Sequence, residues 1–435
     1  MNKQNTMNTT ATPAPAPEYA ALVGLDWGDQ EHALSLCATG STEIERRTLQ
    51  QTPEALADWA NSLRTRFPNG KIAVAVEQAR GALLAGLAQY EHVVPFPVNP
   101  KTSARFREAL YPSRSKNDRI DANLLLELLS KHREHLRPWQ PDTVATRQLA
   151  LLSEQRRQFV DQRTAFTNQL QSHLKEIFPQ ALEFLGEDLS CRMATDFLAK
   201  WPTLQALQTV KPAKLRLFYY GHNSRSEELI TRRLELLKNA VALTTDPALL
   251  AAHSLAIQTL AAQLAALRPF IEKYDKDIAQ VFATHPDAPI FDSLPGAGPV
   301  LAPRLLASLG TDRRRFLEAV AVSCYTGIAP VTEQSGKNQY WVHLRWSCPT
   351  FLRQSWHEFA NSSIKFCGWA ACAYQQFRKK MDHHEAVRKL AFKWQRIVWR
   401  MWQEGRPYDE VRYLASLQKK PTISALPPSP TSQIR

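Results

Sequence analysis

The chain has 435 residues, with 54 lysines and arginines against 41 aspartates and glutamates, giving a formal net charge of +13. At roughly 100–200 residues per domain that length predicts two to four domains, and 44% hydrophobic residues exclude a wholly disordered chain. There is no unbroken run of about 18 apolar residues and no basic-then-apolar N-terminal signal, so the sequence predicts neither a membrane span nor a membrane partner. The six scattered cysteines read as free thiols of a reducing cytoplasm.

In chain order, residues 1–18 are rich in Thr, Ala, Pro and Asn and read as a disordered tail, as do the Pro/Ser-rich residues 419–435. Residues 21–25 form a short apolar strand ending at Asp26, and residues 32–38, followed by Gly40, form its hairpin partner. Thr52-Pro53 is a helix start that leads through Leu56 and Trp59 to Leu63. Ile72–Val76 is a buried central strand that stops at Glu77, and residues 93–98 form another, closed by Asn99-Pro100. Strands alternating with helices over residues 19–140 predict a mixed α/β sheet with helices on its faces.

From about Asp142 the pattern turns helical. Leu149, Leu152, Phe159, Val160, Phe166, Leu170, Leu174 and Ile177 keep an approximately helical spacing. A second helical stretch runs over residues 227–283, with interruptions expected near Pro247 and Pro269. An antiparallel hairpin, a dimerising coiled coil and a plain helical bundle all satisfy this pattern, and residues 141–285 are read as a helical coiled-coil and dimerisation region.

Residues 286–418 form a third, mainly α domain. Of the net charge, +11 lies between Thr311 and Arg435, where 20 basic residues face 9 acidic ones, and seven of the eleven tryptophans lie there too. Either a nucleic-acid surface or a solvated basic face over an aromatic core accounts for that composition.

Asp26 and Glu77 each follow directly on an apolar strand, which on adjacent strands sets both at one end of a sheet. Ser115-Lys116-Asn117-Asp118-Arg119-Ile120-Asp121-Ala122 opens a helix whose Asp118 and Asp121, three residues apart, share one face. Ile120, Leu124 and Leu128 are expected to point the other way. Four converging acids repel unless a cation lies between them, and an all-oxygen donor set selects Mg²⁺ or Mn²⁺ over zinc. Asp29, beyond the strand end, is left out of the set.

Gly24-Leu25-Asp26, Val76-Glu77-Gln78, Val98-Asn99-Pro100-Lys101 and the Asp118-x-x-Asp121 block resemble the DEDD transposases of bacterial insertion sequences, relatives of the Piv-type DNA invertases. The resemblance implies an RNase H-like (RuvC-like) N-terminal domain, with Asp26, Glu77, Asp118 and Asp121 as catalytic metal ligands.

Farther on, Pro295-Gly296-Ala297-Gly298 reads as the turn of a helix-hairpin-helix-like element, whose free backbone N–H groups suit a phosphate; an ordinary turn between helices satisfies it as well. Arg313-Arg314-Arg315 follows. Gly327-Ile328-Ala329-Pro330, Ser335-Gly336-Lys337 in a polar loop, Trp341, Arg345-Trp346 and Arg353 resemble the C-terminal transposase domain of the same family. There the matching position, Ser335, is the nucleophile that forms a phosphoserine intermediate. This chain has Gln334 where many members carry a further serine, and Ala297 where a bulkier aliphatic is common.

The resemblance spans about residues 21–415 and implies double-stranded DNA at the element ends and target as substrate. It also implies an element-encoded non-coding guide RNA, while the separation of Ser335 from the acids by over 200 residues and the helical region as dimer arm predict a homo-oligomer, a dimer assembling to a tetramer. Nucleic-acid contacts are expected at Lys116, Arg119, Gly296, Gly298, Arg313, Arg314, Lys337, Arg345 and Arg353. Two other readings remain at this level: a metal-dependent junction-resolving nuclease that uses water, and a non-catalytic DNA-binding protein.

Overall fold

The computed structural model describes residues 18–78, 81–110, 118–335 and 339–418, so the tails expected from composition lie outside the described residues, apart from Glu18. The chain divides into two compact units, residues 1–141 and 142–435.

In the first unit β1 (Ala21–Asp26), β2 (Glu31–Ala38) and β3 (Glu45–Gln50) form an antiparallel meander. Helix α1 (Pro53–Arg66) starts where Thr52 Oγ1 accepts the Ala55 N–H at 3.2 Å, and it leads to β4 (Ile72–Val76). Helix α2 (Ala82–Leu87) precedes β5 (Val93–Pro97), and α3 (Pro100–Leu110) and α4 (Asp118–Lys131) complete the unit. The sheet order is β3-β2-β1-β4-β5, with β4 parallel to β1 and β5 parallel to β4. β3 has no apolar signature because it is an edge strand on which only Leu49 is buried. β5, the other edge, accommodates Pro95 and Pro97 for the same reason.

Alternation along the strands sorts the two faces. Ala21, Val23, Leu25, Ile72, Val74 and Val76 pack with Trp59 and Leu63 of α1 and with Leu83, Leu84 and Leu87 of α2. Ala73 and Ala75 face the other way, against Leu124, Leu125, Leu128 and Leu129 of α4. A mixed five-stranded sheet in this order, between helical layers, is compatible with the RNase H-like fold.

The second unit is helical apart from one hairpin among the described residues. Helix α5 (Val144–Ile177) is followed by α6 (Ala181–Leu185), α7 (Arg192–Lys200), α8 (Leu204–Gln208), α9 (Pro212–Gly221) and α10 (Glu227–Asn239). Then comes α11 (Pro247–Ala283). α5 and α11 run antiparallel within the chain: Arg156 pairs with Asp275 at 2.5 Å, Phe159 packs on Tyr274, and His173 meets His253. Helices α6–α10 cap one end of this pair with a separate core around Phe184, Phe197 and Tyr219.

Two expectations need correction here. The break near Pro247 is real, with Asp246 capping α11, but Pro269 lies inside a continuous helix, because long packed flanks outweigh one lost backbone hydrogen bond. The sequence reading also found nothing apolar enough to cross a bilayer. By length and composition α11 does qualify, through an 18-residue stretch of mean hydropathy 1.4 in which leucines and alanines outweigh the scattered polar residues. Its Ile257, Leu260, Ala261 and Leu264 are buried within the unit.

Beyond α11, helices α12 (Ala288–Asp292), α13 (Gly298–Leu309) and α14 (Ala319–Tyr325) lead to a hairpin of β6 (Val331–Ser335) and β7 (Gln339–His343). Helices α15 (Thr350–Phe366), α16 (Gly368–Arg378), α17 (His383–Glu404) and α18 (Glu410–Gln418) follow. Trp356, Trp394 and Trp402 are fully buried in this core. Their indole N–H groups donate to Ser308 Oγ, Ser363 Oγ and the Gly310 carbonyl at 2.8–3.1 Å. Most of the aromatic wealth of this region therefore builds the core.

Candidate active site

Leu25 pairs with Val76 in the parallel register of β1 and β4, so Asp26 and Glu77 stand one residue further along neighbouring strands. Parity puts both on the face covered by α4: Asp26 continues Leu22 and Gly24, and Glu77 continues Ala73 and Ala75. The helix comes close because residue 24 has no side chain. A Cβ there would lie 2.0 Å from the Ala122 carbonyl oxygen and 2.5 Å from the Leu126 nitrogen. That backbone contact sets Asp121, the residue before Ala122, over the sheet.

Asp121 is 2% exposed, sharing the sheet-facing side of α4 with Leu125 and Leu128. The expectation that the acids face away from the packing leucines therefore fails for Asp121. Its Oδ1 lies 2.7 Å from Arg107 Nε. That N–H does not point along a hydrogen-bond direction, and neither atom has a hydrogen-bond partner among the described residues. Glu77 Oε2 accepts a hydrogen bond from Ser103 Oγ at 3.1 Å. Ser103 and Arg107 lie one turn apart on α3, whose start is fixed by Asn99 Oδ1 accepting the Lys101 N–H at 2.9 Å. Asp118 is the first residue of α4, one turn before Asp121.

Among the described residues, no three His, Cys, Asp or Glu side chains are gathered closely enough to hold a metal ion. The chemistry of the donors nevertheless fits a hard divalent cation: carboxylate oxygens only, one of them buried without a hydrogen-bond partner. Asp29 is exposed in the turn after β1.

In the second unit Ser335 is the last residue of β6, opposite Gln339, where a polar loop was expected. The β-branched and aromatic residues Val331, Thr332, Tyr340, Trp341 and Val342 pair readily as strands. Lys116, Gly336 and Lys337 lie outside the described residues.

The other expected nucleic-acid contacts divide. Arg313 is engaged internally, donating to both Asp287 carboxylate oxygens at 2.7 Å and lying 4.7 Å from the Trp402 ring. Arg345 donates to the Ala329 carbonyl, and Arg353 donates to the Arg345 carbonyl, at 3.3 and 3.2 Å. Arg314 is exposed and pairs with Asp312, and Arg119 is exposed at the start of α4. The Gly296 carbonyl accepts from Ser362 Oγ at 2.8 Å, so that part of the turn is packed on α15, whereas Gly298 is exposed with open space around it.

Sequence reading missed a cationic stripe. Lys389, Lys393 and Arg396 recur at helical spacing on α17, opposite the buried Leu390, Trp394 and Val398. The Nζ atoms of Lys389 and Lys393 lie 4.8 and 5.7 Å from the centre of the Phe377 ring. Burial, with Lys389 and Arg396 beside it, lowers the Lys393 amine below the ordinary lysine value. The charge run was visible in the sequence; a helical-face count would have separated it from the tryptophans.

A strand-end acid pair facing a helix that carries Asp-x-x-Asp defines the class of DEDD nucleic-acid-processing proteins. Two family profiles match in the expected order: one described as a transposase, of the DEDD IS110 type, over residues 23–179, and one described as the IS116/IS110/IS902 transposase family over residues 288–376. The chain belongs to the IS110-type family of DEDD insertion-sequence transposases. It is 28% identical over 407 residues to a candidate mini-circle transposase for IS117 of Streptomyces coelicolor, covering 91% of this chain and 96% of the other. A 44.8 kDa protein of insertion element IS116 from Streptomyces clavuligerus is 25% identical over 392 residues, covering 88% of this chain and 95% of that one. Membership implies DNA binding, and cleavage and rejoining of DNA.

Proposed function

We propose that the protein mobilises its own insertion element by cutting and rejoining double-stranded DNA, with Asp26, Glu77, Asp118 and Asp121 as ligands of Mg²⁺ or Mn²⁺ and Ser335 as nucleophile. The observation that carries this is the shared face: two strand-end acids lie under a helix held against β1 by Gly24. When bound, the metal supplies Lewis acidity toward phosphodiester oxygens.

The rest belongs to the chain. Ser335 Oγ attacks phosphorus, its O–P bond forms as the bond to one DNA oxygen breaks, and the hydroxyl proton passes to the departing DNA oxygen. The bond energy is kept in a protein–DNA phosphodiester, which a free DNA hydroxyl later attacks to rejoin strands without ATP. The stripe on α17, with the exposed Gly298 and Arg314, supports phosphate contact from the second unit. An element-encoded guide RNA, assembly as a dimer or tetramer, dimerisation through the α5–α11 pair and a cytoplasmic location complete the proposal.

The test is a denaturant-resistant protein–DNA adduct. Wild type forms it, and Ser335→Ala binds DNA without forming it. An adduct that persists in Ser335→Ala moves the nucleophile elsewhere, Thr332 first. Cleavage by wild type with free ends and no adduct selects the water-using nuclease instead.

A further inference from the structure

We infer that Arg107 is a resident counter-cation of the carboxylate cluster, which holds Asp121 while the site lacks metal and is displaced from it when a divalent cation binds. This rests on the carboxylate reading above.

A carboxylate only 2% exposed needs a compensating charge, and among the described residues Arg107 lies beside Asp121, at 2.7 Å. Yet the contact is charge without a hydrogen bond, since Arg107 Nε and Asp121 Oδ1 have no hydrogen-bond partner among the described residues. A guanidinium built to lock a carboxylate permanently presents parallel N–H donors to both oxygens. This one presents Nε to Oδ1 out of line.

The arginine side chain is 18% exposed, so it has an open side toward which it can withdraw, whereas Asp121 has none. Ser103, one turn earlier on α3, treats the second acid differently. It is fully buried and gives Glu77 a neutral hydrogen bond to one oxygen, which orients that carboxylate without neutralising it. One helix thus orients one acid and neutralises the other. A divalent ion and a guanidinium compete for Asp121 Oδ1, and they repel each other at that range.

The experiment titrates Mn²⁺ into full-length protein by calorimetry, beside thermal melts with and without Mn²⁺. Arg107→Gln and Arg107→Met bind Mn²⁺ about tenfold more tightly than wild type, as expected from removal of a like charge a few ångströms away. Both melt lower than wild type without metal and gain more from it. Arg107→Lys, which keeps the charge, stays within about threefold of wild type. Asp121→Asn loses the binding.

Unchanged or weaker Mn²⁺ binding by the charge-removing variants overturns the inference, because a merely structural ion pair lowers the melting temperature without tightening metal binding. If those variants unfold without metal, recovery of folding in Mn²⁺ supports the inference and failure to recover overturns it. Mn²⁺ binding that survives Asp121→Asn, or is absent from wild type and the Arg107 variants alike, overturns the carboxylate reading itself. Binding seen only once Arg107 is removed supports the competition in its strongest form.

Discussion

The two units place their chemistry by different means. In the first, strand alternation and one backbone contact at Gly24 gather acids onto a single face of a sheet. In the second, Ser335 ends a strand of a small hairpin, and the basic residues ride on helices whose other sides hold the tryptophan core. An acid at a strand end has its position fixed by the sheet, whereas a cation on a helix has a position only once the buried face is known. The first site is therefore sensitive to small changes in backbone packing, and the second to loss of charge.

That contrast can be broken most sharply at the acids. Asp26→Asn or Asp121→Asn should lower strand cleavage by more than about a thousandfold, since several kcal/mol of charge stabilisation disappear. DNA binding measured by anisotropy should persist. Retained cleavage in either variant, or in wild type with EDTA, would remove the acids from the chemistry.

Gly24→Val comes next. With a would-be Cβ only 2.0 Å from a helix carbonyl, α4 must move off β1, at a cost of about 3 kcal/mol or more in urea unfolding. Cleavage should fail while the salt dependence of DNA binding is kept. A stable, active Gly24→Val would mean that the close approach does not position Asp121.

The second unit is tested through charge. Replacing Lys389, Lys393 and Arg396 together by alanine should reduce the slope of log affinity against log salt on duplex DNA by about 2–3, at about 0.9 per phosphate contact. The melting temperature should fall by only a few degrees, because the lysine contacts with Phe377 are lost while Leu390, Trp394 and Val398 are untouched. An unchanged slope would place the phosphate contacts elsewhere, and an equal loss on single-stranded RNA alone would assign the stripe to a guide RNA.

The smallest effect concerns pH. Burial lowers the imidazoles of His285 and His357 in the second unit and of His32 in the first below the ordinary histidine value. His285 is held neutral: its Nδ1 accepts the Asp287 N–H at 3.1 Å, and its Nε2 lies 3.0 Å from Thr146 Oγ1. Because the folded form binds these protons less well than the unfolded chain, their stabilising contribution is complete above about pH 6.5 and declines as the pH falls below it. The melting temperature should drop by a few degrees between pH 7.5 and 5.5, and less in His285→Gln. An equal drop in that variant would assign the effect to other groups.

How much was legible followed from how local each cue was. Strands β1, β2, β4 and β5 and helices α1 and α4 were readable, but β3 was not, because an edge strand buries only one residue and needs no apolar pattern. Asp26 and Glu77 were readable as strand-end acids. Arg107 and Ser103 were not, since they sit on a helix with no sequence signature linking it to either acid. The serine was readable only through resemblance, and its segment was read as a loop because five-residue strands with polar members carry little periodicity.

The sequence by itself determined the family, the order of its parts, the strand ends at Asp26 and Glu77 and the concentration of charge near the C-terminus, because each is carried by residue type and near-neighbour spacing. Only the tertiary structure decided which acid is buried, which arginine neutralises it, that α5 and α11 pair within one chain, and which tryptophans are core. Those outcomes depend on contacts between residues tens to more than a hundred positions apart, such as Gly24 with Ala122 and Arg156 with Asp275. Periodicity along the chain says which face of an element is apolar, but packing alone decides what that face meets.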